Sequence, residues 1–321
     1  MRNNVKPKKG KVMWGFIYVG TFILVFIVSA MIKLTYNPLG KEMKVAWNDS
    51  VGTSYTDLSY GESESNKFDL YIPADNTKDT YGLVVYLHAG GFTTGDKSDD
   101  ASMCQYLVSK GYVVAGINYT LRNDKNPKAS VYSMSQEIKQ SIPVIKEEAE
   151  KLGYTLDRMA ISGGSAGGCL ALLYAYRDAG TSPIPVKFVF EAVGPSSFEP
   201  QDWYGLGEDP QAAADLFSIM SGKPITADMI GTDAYKEAIK DISPYMWVDE
   251  NTVPTLCAYG TYDKVCPFGT VKYLINALDD HNVTYDYIEF PHSGHGLQND
   301  NKQSKQYLDK IDEYLDTYLS N

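Results

Sequence analysis

One serine of the chain lies among small residues, in the segment GGSAG at residues 163–167. The segment follows a predicted strand (residues 158–163) and opens a predicted helix (residues 166–177). In the pattern Gly-x-Ser-x-Gly, a sharp strand-to-helix turn exposes the serine hydroxyl, and the small neighbours let adjacent backbone pass. The helix N-terminus beneath it favours developing negative charge. We therefore expect Ser165 to be the nucleophile of an acyl transfer.

A serine nucleophile needs a base, and the chain has four histidines. His295 lies in the segment SGHG, after the last predicted strand and before the last predicted helix. An order of serine, acid and then histidine along the chain places the base there. His295 is therefore our candidate, and its neighbour His292 is the alternative.

The histidine in turn needs an orienting carboxylate. Asp263 directly follows a predicted strand (residues 255–260), so it faces the same edge of a parallel sheet as Ser165. A loop aspartate that caps the next helix is the other interpretation of this residue. The competing acids fall at a helix end or within a strand, and they are Asp279, Asp280 and Asp286.

The segment HAGGF, which begins at His88, follows a buried strand. Glycines at such a point let backbone N–H groups approach a substrate oxygen. We expect Gly90, Gly91 and Ala166 to form an oxyanion hole. For His88 we favour a structural role, in which the imidazole holds this loop by hydrogen bonds.

Strands alternate with helices along most of the chain, which predicts a mostly parallel sheet with helices on both faces. The predicted strands cover residues 67–73, 82–88, 111–119, 158–163, 186–193, 255–260 and 284–290, and the predicted helices cover residues 133–152, 166–177, 268–280 and 301–319.

A long connection interrupts this alternation at about residues 195–250 and predicts a cap insertion or a binding loop. Its aromatic residues either form an acyl pocket or a sugar-stacking surface, or pack the insertion onto the core. They are Phe198, Trp203, Tyr204, Phe217, Tyr235, Tyr245 and Trp247.

Charge is divided unevenly in this chain of 321 residues and net charge −11. The first 34 residues carry six basic and no acidic side chains, which leaves 23 basic and 40 acidic residues, or −17, for the remainder. Such an acidic body is a poor partner for phosphate backbones, so we expect no nucleic-acid binding. The four cysteines have no metal-binding spacing and are predicted to be buried free thiols, with one disulfide as the alternative.

Residues 12–32 are 21 consecutive residues without a charge, Pro, Asn or Gln. At about 1.5 Å per helical residue they would span roughly 30 Å, the thickness of a bilayer core. Five basic residues precede this run and only Lys33 follows closely, so the positive-inside rule predicts a cytoplasmic tail and an extracytoplasmic body at the cell membrane. A signal peptide cleaved after Ala30, which would yield a secreted protein, is the alternative.

Taken together, these motifs resemble the α/β-hydrolase superfamily. Within it the chain is similar to hormone-sensitive-lipase-like carboxylesterases and to bacterial acetyl-xylan and feruloyl esterases. The resemblance covers about residues 65–320 and rests on HAGGF, GINYTLR, SGGSAGG, GTYDKVCP and HSGHG. Departures from the lipase pattern include Ala89 in place of a glycine and Thr120 in place of an arginine. These departures favour the small bacterial esterase branch.

The resemblance implies ester hydrolysis without a metal or organic cofactor. We expect a serine carboxylesterase for short-chain acyl esters, including acetyl or feruloyl esters of glycans. The alternatives are a serine peptidase of the prolyl-oligopeptidase type and a non-catalytic, membrane-tethered binding protein. The predicted organisation is a basic tail (1–11), a transmembrane anchor (12–32), a tether (33–50) and an α/β-hydrolase domain (51–321).

Overall fold

The computed structural model describes residues 43–320 of the chain. In this part eight strands form one sheet in the order β1-β2-β4-β3-β5-β6-β7-β8. β2 pairs antiparallel with both β1 and β4, and the five other pairings are parallel. The strands are β1 (Gly52–Ser59), β2 (Lys67–Pro73), β3 (Tyr81–Leu87), β4 (Val113–Ile117), β5 (Leu156–Gly164), β6 (Val186–Ala192), β7 (Thr255–Gly260) and β8 (Tyr285–Phe290). The predicted, mostly parallel sheet is confirmed.

The helices of the described residues alternate with these strands. They are α1 (Ala101–Ser109), α2 (Val131–Lys151), α3 (Ala166–Leu173), α4 (Pro210–Ser221), α5 (Asp233–Ile239), α6 (Val271–Asp280) and α7 (Asn301–Tyr314). Two of them continue into a wider, π-helical turn: α3 into Tyr174–Asp178 and α7 into Leu315–Leu319. The second lies inside the predicted helix 301–319, whereas the first extends one residue beyond the predicted helix 166–177.

The central strands are covered on both faces of the sheet. Val84 and Val85 are neighbours in β3 whose side chains point to opposite faces, and neither is exposed to solvent. The same is true of Ala160 and Ile161 in β5. Burial on both faces explains why these strands read as continuous apolar runs in the sequence.

Two elements near the edge of the sheet are absent from the sequence-based prediction. β1 has five consecutive exposed residues and little apolar character, so its pattern resembles a loop. It is held by antiparallel pairing with β2, which no local signal in β1 encodes. α1 is short and lies between β3 and β4, where the sequence pattern predicts only a connection.

The insertion between β6 and β7 contains α4 and α5 and has an aromatic core of its own. Phe198, Phe217 and Tyr235 are fully buried, and Trp203 stacks on Phe198 with ring centroids 5.5 Å apart. The Tyr235 hydroxyl donates to the Phe198 carbonyl at 2.6 Å. For these residues, packing accounts for the aromatic content of the segment.

Predictions for the N-terminal region fall on the part of the chain that the structure does not describe. The basic tail (1–11), the anchor (12–32) and most of the tether (33–50) lie outside residues 43–320. Within residues 43–320, none of the helices combines the length and apolar character needed to cross a membrane. The four cysteines are all described, and they are buried free thiols as predicted.

Candidate active site

The predicted site residues come together at one edge of the sheet. Ser165 follows β5, Asp263 follows β7, and His295 follows β8. The loop of Gly90 and Gly91 follows β3. Because the carboxyl ends of parallel strands meet at the same edge, four separate segments of sequence converge there.

Ser165 occupies a turn that only small neighbours permit. Its backbone angles are φ 53° and ψ −119°, a left-handed conformation that costs free energy for a residue with a Cβ atom. A Cβ on Gly167 would overlap the carbonyl of Leu87, and a Cβ on Gly163 would overlap the backbone of Gly167. Hydrogen bonds on both sides stabilise the strained turn, since Ser165 N donates to Ala192 O at 2.8 Å and Ser165 O accepts from Cys169 N at 3.0 Å.

The serine, the histidine and the aspartate form a continuous chain of hydrogen bonds. His295 Nδ1 lies 2.7 Å from Asp263 Oδ2, and His295 Nε2 lies 2.8 Å from Ser165 Oγ. A carboxylate can only accept, so the Nδ1–H donates to Asp263 and Nε2 is left to accept the serine proton. The arrangement therefore prepares Ser165 for deprotonation by His295.

Asp263 is held in place from the side opposite the histidine. Its side chain is 1% exposed, and its Oδ1 accepts from the N–H groups of Val265 at 2.8 Å and Cys266 at 3.0 Å. The Tyr204 hydroxyl of the insertion donates to the Asp263 carbonyl at 2.8 Å. These contacts fix the direction in which the carboxylate presents Oδ2.

The alternative candidates lie elsewhere. The His292 side chain is 76% exposed, and its Nδ1 is 2.7 Å from Asp300 Oδ1 instead of Ser165. Among the competing acids, Asp279 accepts from the Tyr285 hydroxyl and Asp286 pairs with Lys310. Asp280 is the last residue of α6.

Asp300 has a structural role that the sequence did not reveal. Its Oδ2 accepts from the Ser293 hydroxyl at 2.6 Å and from His292 N at 3.0 Å, so it ties together the loop that presents His295. Burial opposes ionisation, but the hydrogen bonds from Ser293 and His292 lower the pKa of Asp300 below its ordinary value. The loop is thus anchored by a charged carboxylate.

The loop after β3 makes a tight turn in which two glycines have different roles. Gly90 has φ 130°, and its carbonyl accepts from Thr93 N and Thr94 N. Gly91 has φ 59° and lines the same cavity as Ser165 and Ala166. Gly90 therefore shapes the turn, whereas Gly91 brings backbone to the cavity wall.

His88 supports this loop from below. Its Nδ1 lies 2.7 Å from the Ala89 carbonyl, and its ring stacks on Tyr119 at a centroid distance of 4.3 Å. The Tyr119 hydroxyl donates to the His88 carbonyl at 2.8 Å. Burial lowers the pKa of His88, which keeps the imidazole neutral with its proton on Nδ1. These contacts agree with the structural role expected from the sequence.

Ser165 and His295 open into a largely apolar cavity of about 260 Å³. Only Trp203 of the predicted aromatic set lines this cavity, together with the aliphatic residues Leu216, Ile219 and Met220 of the insertion. Arg122 also lines it and was not predicted as a site residue. The one signal in the sequence is its position, in the loop that follows β4.

A second unpredicted residue, Glu191, lies beneath the nucleophile turn. Its Oε2 accepts from Gly194 N at 2.7 Å, and a Cβ on Gly168 of α3 would come within 2.9 Å of the same oxygen. Complete burial raises the pKa of Glu191 to about 8, so the carboxyl group is mostly neutral at neutral pH. It braces the turn that leads to Pro195, which lines the cavity.

In the described residues, no cluster of three or more His, Cys, Asp or Glu side chains has the arrangement needed to hold a metal ion. What the edge of the sheet does hold is a strained serine between strand and helix, linked to a histidine and an aspartate. Together with the mostly parallel eight-stranded sheet, this arrangement is typical of the α/β-hydrolase fold. Residues 68–278, more than half of the chain, match the BD-FAE family, and the chain belongs to that family.

Individual proteins with similar sequences include a formamidase and an ester hydrolase. A kynurenine formamidase from Danio rerio is 30% identical over 130 residues, which are 40% of this chain and 41% of that protein. A probable carboxylic ester hydrolase from Mycobacterium tuberculosis is 24% identical over 255 residues, which are 75% of this chain and 56% of that protein. The chain spans about two fifths of the length of the kynurenine formamidases that it matches.

Among solved structures, a truncated carbohydrate esterase from gut microbiota has a similar fold. The TM-score is 0.66 at 21% sequence identity, and the alignment covers 85% of this chain and 99% of that chain. The chain is thus related to carboxylic ester hydrolases in sequence and in fold. The resemblance to α/β-hydrolase carboxylesterases, which the motifs predicted, is confirmed.

Proposed function

We propose that the protein is a serine carboxylic ester hydrolase that uses Ser165, His295 and Asp263. The observation that carries this proposal is the pair of hydrogen bonds that links the three side chains, 2.8 Å and 2.7 Å long, at the wall of an apolar cavity. The family assignment and the named ester hydrolases among the relatives support it.

The proposed reaction begins when Ser165 Oγ attacks the ester carbonyl and His295 Nε2 takes the hydroxyl proton. Backbone N–H groups of Gly91 and Ala166, which line the cavity, would stabilise the oxyanion of the tetrahedral intermediate, and Gly90, also expected from the sequence, would shape the loop that presents Gly91. His295 then protonates the leaving alkoxide, and water hydrolyses the acyl-enzyme by the same steps in reverse order. Asp263 holds the imidazole in the required tautomer and stabilises its charged form.

The cavity supports small esters as substrates. Its volume of about 260 Å³ and its aliphatic lining suit a short acyl chain. Two tyrosines close to the Asp263 loop are largely exposed, Tyr204 at 64% and Tyr262 at 66%. Such rings can stack on a sugar or on an aromatic acid, and the similar fold is named a carbohydrate esterase. We therefore include acetyl and feruloyl esters of glycans among the proposed substrates.

A fluorophosphonate probe tests the nucleophile directly. We expect covalent labelling of the wild-type protein at Ser165 and none in Ser165→Ala. A panel of acetyl, butyryl, octanoyl and feruloyl esters then ranks the acyl groups. Labelling that persists in Ser165→Ala, with hydrolysis unchanged, would contradict the assignment.

Two other functions are outcomes of the same tests. Hydrolysis of a dipeptidyl-nitroanilide without hydrolysis of 4-nitrophenyl acetate would identify a serine peptidase. The match to a dipeptidyl aminopeptidase from Pseudoxanthomonas mexicana, which covers 87% of this chain but 38% of that protein, makes this control necessary. No labelling and no hydrolysis of any ester or peptide would favour a non-catalytic binding protein.

For the location of the enzyme, we propose a single membrane anchor at residues 12–32 with the hydrolase domain outside the cytoplasm. The uncharged run and the basic residues before it support this proposal. Protease added to intact cells should degrade the domain while the cells keep cytoplasmic proteins intact. Protection of the domain would contradict the anchor, and its release into the medium without residues 1–30 would favour a cleaved signal peptide.

A further inference from the structure

One cationic side chain lines the otherwise apolar cavity beside Ser165. Arg122 is half-buried, and its backbone N–H donates to the Phe92 carbonyl at 3.0 Å. Its Nη1 donates to the Ala129 carbonyl, also at 3.0 Å. Phe92 and Ala129 both line the cavity, so these two bonds hold the guanidinium at its wall.

The guanidinium has more donors than these contacts use. A guanidinium carries five N–H groups, and the bond to Ala129 uses one of them. The two other arginines of residues 43–320 each have an acidic partner, Asp157 for Arg158 and Asp178 for Arg177. Arg122 has no ion pair with any acid in the same described part of the chain.

The other polar side chains of the cavity are already paired. Ser165 and His295 bond each other, and Ser130 Oγ accepts from Ser133 N at the start of α2. Thr93 Oγ1 donates to the Gly90 carbonyl at 3.4 Å. Within the described residues, the lining therefore contains one charged side chain without an acidic partner, and its half-buried guanidinium keeps N–H donors available to a ligand.

The loop that carries Arg122 is locally basic although the domain as a whole is acidic. Between Thr120 and Ala129 it contains Arg122, Lys125 and Lys128 but only one acid, Asp124. Lys125 and Lys128 lie in a neighbouring open depression and do not line the cavity of Ser165. These ten residues therefore carry three positive charges and one negative charge, and Glu137 also lines the depression beside the two lysines.

We propose that the cavity binds esters that carry a carboxylate, and that Arg122 is the specificity-determining residue that pairs with it. This inference rests on the proposed ester hydrolase function and narrows its substrate class. A carboxylate matches both the fork geometry of a guanidinium and its single charge. A phosphate would bring a second negative charge, for which the cavity lining offers no further cation.

The carboxylate can belong to the acyl group or to the alcohol, and two substrate pairs separate these sources. For the acyl side we compare mono-4-nitrophenyl adipate with 4-nitrophenyl adipamate, in which a neutral amide replaces the carboxylate. For the alcohol side we compare 4-butyryloxybenzoate with 4-butyryloxybenzamide. Spontaneous hydrolysis of each ester is measured without enzyme and subtracted.

We expect the wild-type protein to prefer the carboxylate member of one pair by about 10- to 100-fold in kcat/KM, the range of a charge-assisted hydrogen bond. Arg122→Gln retains an amide that can donate to the Ala129 carbonyl, and it should reduce the ratio of kcat/KM for the charged and neutral esters to about one, with the loss concentrated on the charged ester. Lys128→Gln removes a charge from the same loop outside the cavity, and it should keep the preference.

Two results would overturn the inference. One is a wild-type protein that hydrolyses both members of each pair equally well. The other is an Arg122→Gln variant in which kcat/KM falls by the same factor for the charged and the neutral ester. That result would show that the guanidinium only supports the structure of the cavity wall.

A binding measurement separates this inference from the proposed function. Ser165→Ala should bind the preferred carboxylate ester more tightly than its amide isostere in calorimetry, whether or not the wild-type protein turns it over. If Ser165→Ala binds the carboxylate ester more tightly but the wild-type protein shows neither hydrolysis nor fluorophosphonate labelling, only the proposed function is contradicted. Equal binding, with hydrolysis of neutral esters intact, would contradict the carboxylate specificity alone.

Discussion

Two parts of the cavity lining are held by different forces. The loops after β3, β5, β7 and β8 present Gly91, Ser165 and His295 through backbone turns and directed hydrogen bonds. Ser165 and Phe92 even adopt left-handed backbone angles, φ 53° and φ 64°. Such conformations persist only where the surrounding structure over-determines them.

The insertion contributes a lining that is held mainly by packing. Trp203, Leu216 and Met220 face the cavity, and Phe217 lies buried behind them. Apolar contacts are individually weak and have little directionality, so they fix a volume more than a set of atom positions. We infer that substitutions in the loops will change reaction rate, whereas substitutions in the insertion will change stability and acyl preference.

The largest expected effect is in the loops, at Asp263. In Asp263→Asn the side-chain oxygen can keep the bonds from Val265 N and Cys266 N, which turns the amide N–H₂ toward His295 Nδ1. The imidazole must then carry its proton on Nε2, where it cannot accept the proton of Ser165. We expect kcat for 4-nitrophenyl butyrate to fall about 10⁴-fold, as for the same change in other triads, with thermal unfolding little changed.

His292→Gln is the matched control for this experiment, because His292 is exposed and contacts Asp300 instead of Ser165. Its kcat should stay within about threefold of wild type, since it touches neither substrate nor the reacting groups. Comparable losses in the two variants would show that general damage to the loops, and not the tautomer of His295, limits the rate.

The second effect tests the insertion. Phe217 is fully buried and packs against Phe198, Trp203 and Tyr235 at centroid distances of 6.0, 5.8 and 6.2 Å. Phe217→Ala should lower the free energy of unfolding in urea by about 3–5 kcal/mol. The folded fraction of Phe217→Ala should still be labelled by the fluorophosphonate probe. If Phe217→Ala is fully folded and yet is not labelled, the insertion also positions the reacting groups.

Glu191 lies in β6, which directly precedes the insertion. From its buried carboxyl group we predict a pH dependence of stability. The raised pKa of about 8, against an ordinary value of 4.5, means that the folded protein holds this proton more tightly than the unfolded chain. The free energy of unfolding should therefore fall as pH rises from 4.5 to 8, with a contribution from Glu191 of up to about 1.4 kcal/mol per pH unit.

Glu191→Gln removes this titration and keeps an oxygen that can accept from Gly194 N. Urea unfolding at pH 5.5 and 7.5 should show a smaller decrease for Glu191→Gln than for wild type. Equal decreases in the two proteins would contradict a neutral, buried carboxyl group at this position.

The smallest expected effect is a change in acyl preference. Ile219 lines the cavity but is 41% exposed. Truncation of its side chain therefore creates little buried empty volume and should have little effect on stability. In Ile219→Ala the ratio of kcat/KM for octanoyl and butyryl esters should change by about 3- to 10-fold, which corresponds to one or two methylene contacts. Glu208→Gln, an exposed position in the same insertion, should leave the ratio unchanged. An equal change in both variants would exclude a direct contact between Ile219 and the acyl chain.

The loops were readable from the sequence because their chemistry is local. Gly163 and Gly167 are required by the turn itself, and the apolar runs of β2 and β7 match the predicted bounds, residues 67–73 and 255–260. Asp263 and His295 could be named because each follows a strand of a parallel sheet. Their separation from Ser165 along the chain was no obstacle, since topology brings strand ends together.

The residues that were missed are those whose role depends on contacts across the fold. β1 exists through its pairing with β2, and Asp300 matters because it reaches back to the loop of His292 and Ser293. Arg122 is one basic residue in a polar loop until the tertiary structure places it at the wall of the cavity. None of these contacts leaves a periodic or local pattern in the sequence.

The sequence by itself determined the class of fold, the strand-to-helix turn at Ser165 and the chain order of the three proposed catalytic side chains, because backbone sterics and strand periodicity are short-range properties. Only the tertiary structure decided which polar groups are paired and which are left unpaired. In the amino-acid sequence alone, Glu191 and Arg122 are an ordinary acid and an ordinary base. Burial beneath the nucleophile makes the first of them neutral, and an apolar cavity without an acidic partner makes the second a site for an anion. The first outcome depends on burial and the second on which groups lie within reach, and both are properties of the folded packing and not of any segment alone.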